Sequence, residues 1–477
     1  MKRPNILIFH TDEHRADSLS PYNKNMITPN IQSLADEGTV FMRNYCQSPV
    51  CMPSRSSTFS CRYPLEIGCL NNSIDPAFGF PQDVVTFPEI FAENGYATCS
   101  IGKHHTFQHD IWQKWINCNS SFGCVNHFGL KAPYRDEDYK VLHRKTALPL
   151  ASAGIFPDNE GDCAKFCIEN GMEFIQNCDK PWLLRLSIEW PHNPVLCPRP
   201  YHALYHSEQV QVKLHSKEDK ETRSRMDKRI AAFQGYDLFT AEELDWIWRC
   251  YYGLCAYVDS QVGRMLAFLK EKDLYDNTII VFFSDHGRML GEWGGGEKDV
   301  FDKPSWQTPL IVSWKEHVPV GKIDDITENL DVGPTLLTLA GLEDKIPDTY
   351  RGMNLFSRKK RQWTLGAIKS EYLPDLPDTF RLAMTDKKYR IDVNFDIYGR
   401  RLSFEQYDGS LYDLENDPQE SKNLFYDSRY TETVNRLLEK LYEEFNKMNV
   451  DPRLRDPEFF RFHRSWEDVC GQTIPKK

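Results

Sequence analysis

Residues 278–287 read TIIVFFSDHG, and this stretch decides the fold. Thr278 to Phe283 is a run of β-branched and aromatic residues, the mark of a strand covered on both faces, and it halts at Ser284-Asp285-His286-Gly287. The same grammar recurs outward from it. Asn5 to Phe9 is apolar and leads into Thr11-Asp12-Glu13-His14, and Tyr96 to Ser100 precedes Gly102-Lys103-His104-His105. Pro181 to Ile188 runs into Glu189-Trp190-Pro191-His192. Between these runs the spacing predicts helices over Thr28 to Gly38, Val84 to Gly95 and Thr240 to about Lys270, the last opened by capping-box spacing of Thr240 and Glu243. Strands alternating with helices predict an α/β fold, a large mostly parallel sheet flanked by helices.

After Gly352 the pattern changes. Arg381–Ala383, Tyr389–Val393 and Arg401–Phe404 read as short antiparallel strands, and LYDLENDPQESKNL as a strand and turn before an amphipathic helix around Thr431 to Met448. The expected organisation is a catalytic α/β domain over 1–355 and a smaller C-terminal α+β domain over 356–450. The tail 451–477, with Phe459, Phe460, Phe462 and Trp466, is expected to pack on the core or contact a second copy in a homo-oligomer. The stretch 193–239 reads as irregular polar loops over one face.

Bulk properties narrow the function classes. A formal charge of -11 over 477 residues argues against nucleic acid and anionic membranes as partners, though not against a small anion in a local pocket. No segment approaches a membrane span or a signal-peptide core. Fourteen cysteines without a CxxC pair predict free thiols in a reducing cytoplasm.

In an open α/β sheet, groups beyond the carboxyl ends of strands converge on one crevice. Asp12 and Glu13, Lys103 with His104 and His105, His192, and Asp285 with His286 stand at such ends. Cys51, within CMPSR at 51–55, joins them at a helix N-terminus, where unpaired amides favour an anionic nucleophile or substrate. A lone cysteine is ordinarily core packing, so the four converging strand ends carry this reading. Asp12 and Asp285, with Glu13, offer hard carboxylate oxygens, and the His286 imidazole does not exclude a hard divalent ion: calcium, with manganese or magnesium as alternatives. Lys103, His105 and Lys298 supply charge and proton transfer around a tetrahedral anion, and Arg55 holds the nucleophile and the metal-site charge in register. His192, between two prolines, is a fixed imidazole.

These motifs together resemble the type I sulfatases of the alkaline-phosphatase-like superfamily over nearly the whole chain. Cys51-Met52-Pro53-Ser54-Arg55 is similar to the C-x-P-S-R signature, GKHH at 102–105 to G-K-x-H, and SDHG at 284–287 to the second metal motif. GEWGGGEK, ending at Lys298, is similar to the segment presenting a substrate lysine, and LYDLENDP is also typical. The resemblance implies that a maturation enzyme oxidises Cys51 to Cα-formylglycine, whose hydrate is nucleophile and metal ligand. It implies Lys103 and Lys298 on the sulfate oxygens, His192 at the leaving alcohol, and His105 as the base that lets residue 51 expel sulfate.

Three positions depart from the family pattern. Phe59-Ser60-Cys61-Arg62 stands where L-T-G-R is usual, with Cys61 in the glycine slot. Arg288 follows DHG where relatives often carry an acid, and Trp293 replaces a frequent histidine. With His104, Arg288 and Trp293 are expected substrate contacts, Arg288 at the pocket mouth and Trp293 as a sugar platform. The substrate expected is a small sulfated carbohydrate. The alternatives are a phosphonate monoester or phosphodiester hydrolase of the same superfamily and, from another class, a non-catalytic binding protein.

Overall fold

The computed structural model describes residues 3–72, 78–107, 110–117, 139–146, 151–156, 162–369, 379–456 and 459. Nine strands build the main sheet: β1 (Asn5–Thr11), β2 (Gly38–Tyr45), β3 (Ala97–Gly102), β4 (Lys114–Ile116), β5 (Trp182–Ile188), β6 (Thr278–Ser284), β7 (Gln307–Thr308), β8 (Leu310–Ser313) and β9 (Gly321–Glu328). Their order is β7-β2-β8-β6-β1-β5-β3-β4, with β9 paired to β2. The core ladders β6-β1-β5-β3-β4 are parallel, while β8 runs antiparallel to both β6 and β2. The mostly parallel sheet follows from the apolar runs read above.

Each central strand feeds two cores because successive side chains point to opposite faces. Ile6 and Ile8 face one core with Ile279 and Val281, whereas Leu7 and Phe9 face the other with Ile280 and Phe282. The second core is closed by α1 (Pro29–Asp36), α4 (Cys163–Gln176) and the 31-residue α6 (Ala241–Glu271). Thr240 and Glu243 form the expected capping box on α6, with the Glu243 amide donating to Thr240 Oγ1 at 3.2 Å and the Thr240 amide to Glu243 Oε2 at 2.7 Å. The first core holds α2 (Cys51–Ser60), α3 (Phe87–Glu93) and α7 (Val332–Leu339).

A second sheet, β10 (Thr364–Lys369), β11 (Thr379–Thr385), β12 (Tyr389–Asp396) and β13 (Gly409–Asp413), is antiparallel throughout and carries α8 (Thr431–Lys447). Its apolar face, with Leu382, Val393 and Leu411, belongs to the same core as Ile6 and Val281 of the main sheet. Arg401–Phe404 is not a strand. The fourth strand begins at Gly409, and the turn before it holds a short 3-10 helix at Phe404–Gln406. Phe404 is 40% exposed and stacks on the buried Phe425, so the segment packs by its side chains and does not enter the ladder.

The stretch 193–239 is more ordered than its polarity suggests. It contains a strand at Val195–Cys197 and the helix α5 (Arg225–Gln234), whose cap Ser224 accepts from the Asp227 amide at 3.2 Å. Buried ion pairs tie this region to the second sheet. Arg223 Nη2 meets Asp302 at 2.6 Å, and Arg390 of β12 meets Asp302 at 3.0 Å and Glu420 at 2.6 Å. Most of the expected C-terminal tail lies outside the described residues; Phe459 packs edge-on against Phe78.

Candidate active site

Ladder register sets the site. Thr11 is level with Ile188 of β5 and Ser284 of β6, and Gly102 is level with Ser187. The next residues, Asp12, Glu189 and Asp285, therefore leave the sheet at one height, with Lys103 one residue lower just past the end of β3. The ladder continues one step, with the Asp285 amide on Thr11 O at 3.2 Å and the Lys103 amide on Ser187 O at 3.1 Å. Gly102 permits this: its φ is +99°, and a Cβ there would lie 2.3 Å from the Ser187 carbonyl oxygen.

Cys51 is the first residue of α2, whose ten residues are all buried. Its Sγ lies 3.2 Å from His286 Nε2, 3.0 Å from Lys298 Nζ, 3.6 Å from Asp12 Oδ1 and 4.0 Å from Lys103 Nζ, and His105 also hydrogen-bonds it. Burial alone would raise the thiol pKa. Lys103, Lys298, His286 and His105 outweigh it and hold Cys51 well below the ordinary range.

Arg55, one turn along α2, bridges the two aspartates. Its Nη2 donates to Asp12 Oδ2 at 2.9 Å and its Nε to Asp285 Oδ2 at 2.7 Å, with all three side chains sealed from solvent. A third arm donates to Ser187 Oγ at 2.8 Å. Lys103 Nζ also meets Asp12 Oδ2, at 2.7 Å. One ligand atom each from Asp12, Cys51, Asp285 and His286 falls within 4.8 Å of the others, all buried. His286 Nδ1 donates to the Gly287 carbonyl at 2.8 Å, which leaves Nε2 free to face the cluster. Burial would depress His286, yet Asp285 and Cys51 lift it to about 9. Two carboxylates, an imidazole and residue 51 fit a divalent cation.

Glu13 stands in a second such group, with Asp12 and His192, whose ligand atoms also lie within 4.8 Å of one another. Its carboxylate lies 2.7 Å from Lys298 Nζ, 3.0 Å from Arg288 Nη1 and 3.4 Å from His192 Nε2. Burial works against ionisation there, but His192, Lys298 and Arg288 hold Glu13 down to about 2. His192 Nδ1 donates to the Asn193 carbonyl at 2.6 Å, so Nε2 accepts from Lys298 Nζ at 3.0 Å.

The expected substrate contacts are placed differently. Arg288 is fully buried and paired with Glu13, not at the pocket mouth, because a carboxylate 275 positions earlier in the chain claims its charge. Trp293 is also buried: His215 stacks flat on its ring at 3.4 Å and the Arg223 guanidinium lies over it at 4.7 Å, so it is a wall and not an open platform. His104 is buried beside Thr106 and Trp115. Sequence reading missed Arg185 and Asn329. Arg185 donates to Lys103 O at 3.2 Å and Ser187 Oγ at 2.8 Å, and Asn329 donates to Ser284 O at 2.9 Å. An arginine within an apolar strand run was the available signal for the first; nothing in the sequence marked the second.

The sulfatase family profile matches residues 4–342, and the profile of the N-sulphoglucosamine sulphohydrolase C-terminal region matches 291–447. The chain belongs to the sulfatase family. This sulfatase is thus an enzyme of sulfuric ester hydrolysis, with a metal- and formylglycine-type site at Asp12, Cys51, Asp285 and His286. It is 27% identical to an N-acetylglucosamine-6-O-sulfatase of Bacteroides thetaiotaomicron, over 94% of this chain and 87% of that one. Its fold is similar to the phosphonate monoester hydrolase of Silicibacter pomeroyi (TM-score 0.77, 20% identity, 94% and 96% of the two chains). It is also similar to a structure in complex with its substrate D-glucosamine-2-N,6-O-disulfate (TM-score 0.69, 20% identity, 96% and 100%). Among the described residues no helix is long and apolar enough to cross a membrane.

Proposed function

We propose that this sulfatase releases inorganic sulfate from a sulfated mono- or disaccharide, with Cys51 matured to formylglycine and one divalent ion, calcium, in the pocket. The observation that carries the reading is the position of Cys51 Sγ, within 3.2 Å of both Lys298 and His286 and hydrogen-bonded by His105. The matured side chain and the ion supply a geminal-diol nucleophile and charge neutralisation for the sulfate oxygens. The chain's own residues do the rest. Asp12, Asp285 and His286 hold the ion, and Arg55 keeps the two carboxylates together. Lys103 and Lys298 stabilise the charge that develops on the transferring group. His192 relays to the departing alcohol a proton that Nε2 takes from Lys298, and His105 accepts the proton of residue 51 as sulfate leaves.

The carbohydrate reading is supported by the N-acetylglucosamine-6-O-sulfatase relative and by the related fold in complex with D-glucosamine-2-N,6-O-disulfate. The described cysteines are all free thiols, which fits a reducing cytoplasm and therefore small imported sugars. A second reading, phosphonate monoester or phosphodiester hydrolysis, is favoured by the likeness to the Silicibacter pomeroyi enzyme. One screen separates them: sulfated mono- and disaccharides against phosphodiesters, with intact-mass measurement of residue 51 and metal analysis of the same preparation. Faster turnover of a sugar sulfate by fully matured protein is expected. Far faster turnover of every phosphodiester would replace this reading with the second.

A further inference from the structure

Lys298 reaches the nucleophile from a segment with almost no conformational preference of its own. Gly294-Gly295-Gly296 runs into Glu297 and Lys298, and φ at Gly294 is +81°. Consecutive glycines leave a backbone its greatest freedom, so the path from Trp293 to Lys298 has to be imposed by neighbours. Yet the Lys298 ammonium stands 3.0 Å from Cys51 Sγ and 3.0 Å from His192 Nε2.

The neighbour that imposes the path is Gln234, the buried last residue of α5. Its Oε1 accepts from the Gly296 amide at 2.8 Å and from the Glu297 amide at 3.2 Å. Its Nε2 donates to the Lys298 carbonyl at 2.9 Å. One carboxamide thus takes a backbone group from each residue of Gly296-Glu297-Lys298. The Tyr236 ring lies against Gly296 and leaves no room for a Cβ there, while the Met289 amide donates to the Glu297 carbonyl at 2.6 Å.

α5 is anchored in turn to the second sheet. The Arg225 and Met226 amides donate to the Asp408 carboxylate at 2.7 and 3.0 Å, just before β13. Ser224, the cap of α5, accepts from Arg381 of β11 at 3.1 Å, and Asp227 accepts from Ser410 of β13 at 3.2 Å. An unbroken chain of polar contacts therefore runs from the second sheet through α5 to the backbone of Lys298.

We propose that Gln234 is the positioning residue for Lys298, and that α5 carries to this lysine the placement set by the second sheet. This rests on the sulfatase reading above. Gln234 touches no reacting atom and is neutral, so its effect is geometric. It keeps the ammonium where charge develops on the transferring group, which is an interaction of the transition state more than of the bound substrate.

Gln234→Met keeps the length of the side chain and removes all three hydrogen bonds. On 4-nitrophenyl sulfate its kcat, counted per formylglycine-bearing molecule by intact mass, should fall about 100-fold, with KM changed by less than about threefold. Lys298→Met should lose at least as much, and adding Gln234→Met to it should cost less than about a further threefold, because the two act as one unit. A lowered melting temperature with kcat per matured molecule unchanged, or losses that multiply in full in the double variant, overturns the proposal. Should Gln234→Met fold poorly, Gln234→Asn withdraws the same carboxamide by one carbon; it must show a kcat loss that Lys298→Met likewise masks, and unchanged kcat also overturns the proposal. If the unaltered matured enzyme hydrolyses no sulfate ester, the substrate reading fails by itself. A crystal structure of the folded variant then decides the inference: Lys298 Nζ moved away from residue 51 upholds it, and Nζ in its present place overturns it.

Discussion

Nε of Arg55 donates to Oδ2 of Asp285 at 2.7 Å, and neither side chain is reached by solvent. The other end of the same guanidinium holds Asp12, so one residue on the nucleophile's helix sets the distance between two carboxylates on separate strands. The pairing fixes the metal group and Cys51 as a single rigid unit.

Arg55→Lys should therefore be far from conservative. A single ammonium cannot reproduce the fork that spans Asp12 and Asp285. Breaking a buried pair of this kind costs about 3–5 kcal/mol, and misplacing the group by about 1 Å costs about 100-fold in rate. The variant is expected to show both a lowered denaturation midpoint and a loss of kcat/KM of at least that size. Unchanged kinetics would remove Arg55 from the site's architecture.

Gly102→Ala tests the strand-end geometry without touching a charged group. The added Cβ would meet the Ser187 carbonyl at 2.3 Å in a backbone with φ of +99°. A destabilisation of about 2 kcal/mol or more is expected by urea denaturation, with a fall in activity because Lys103 is the next residue. An alanine tolerated within a few tenths of a kcal/mol would show that the strand end is softer than its contacts indicate.

His215 gives the protein a measurable acid sensitivity. Burial against Trp293 holds it down to about 4, whereas in an unfolded chain it titrates near 6.5. Between those values the unfolded state binds a proton that the folded state refuses, so its contribution to stability is full above pH 6.5 and falls as pH drops toward 4. His215→Phe keeps a flat ring on Trp293 but cannot titrate. Its melting temperature should decline less between pH 7 and 4.5 than that of the unaltered protein. Parallel curves would count against the assignment.

Much of this was legible in the sequence because it is local. Continuous apolar runs named β1, β5 and β6, and a capping box named the start of α6. Polar residues directly after each run named Asp12, Lys103, His192 and Asp285, since chain order alone puts them at the sheet's carboxyl edge. What stayed hidden depends on distant partners. The direction of Glu13 follows from a positive φ enforced by Asp285 and Tyr251, and the burial of Arg288 follows from Glu13. The pairing edge at β9 reads as polar because three of the eight residues of Gly321–Glu328 are exposed, and Arg401–Phe404 misled because its apolar side chains pack on the core without entering the ladder. Cys61, in the slot where glycine is usual, adopts the left-handed φ of 53° that glycine would favour and packs its sulfur toward Gly333.

The apolar layer shared by the two sheets has a consequence for how the protein can be cut or shortened. Leu382, Val393 and Leu411 form one interior with Ile6 and Val281, and Arg223 and Arg390 meet on Asp302 across the same junction. A chain stopped near residue 355 would leave a wide greasy face uncovered and Asp302 without Arg390. Such a fragment would not be a weakened enzyme but a sticky, insoluble one. The C-terminal quarter is thus part of the chemistry's foundation, and any change that unseats it disarms a pocket whose own residues are intact.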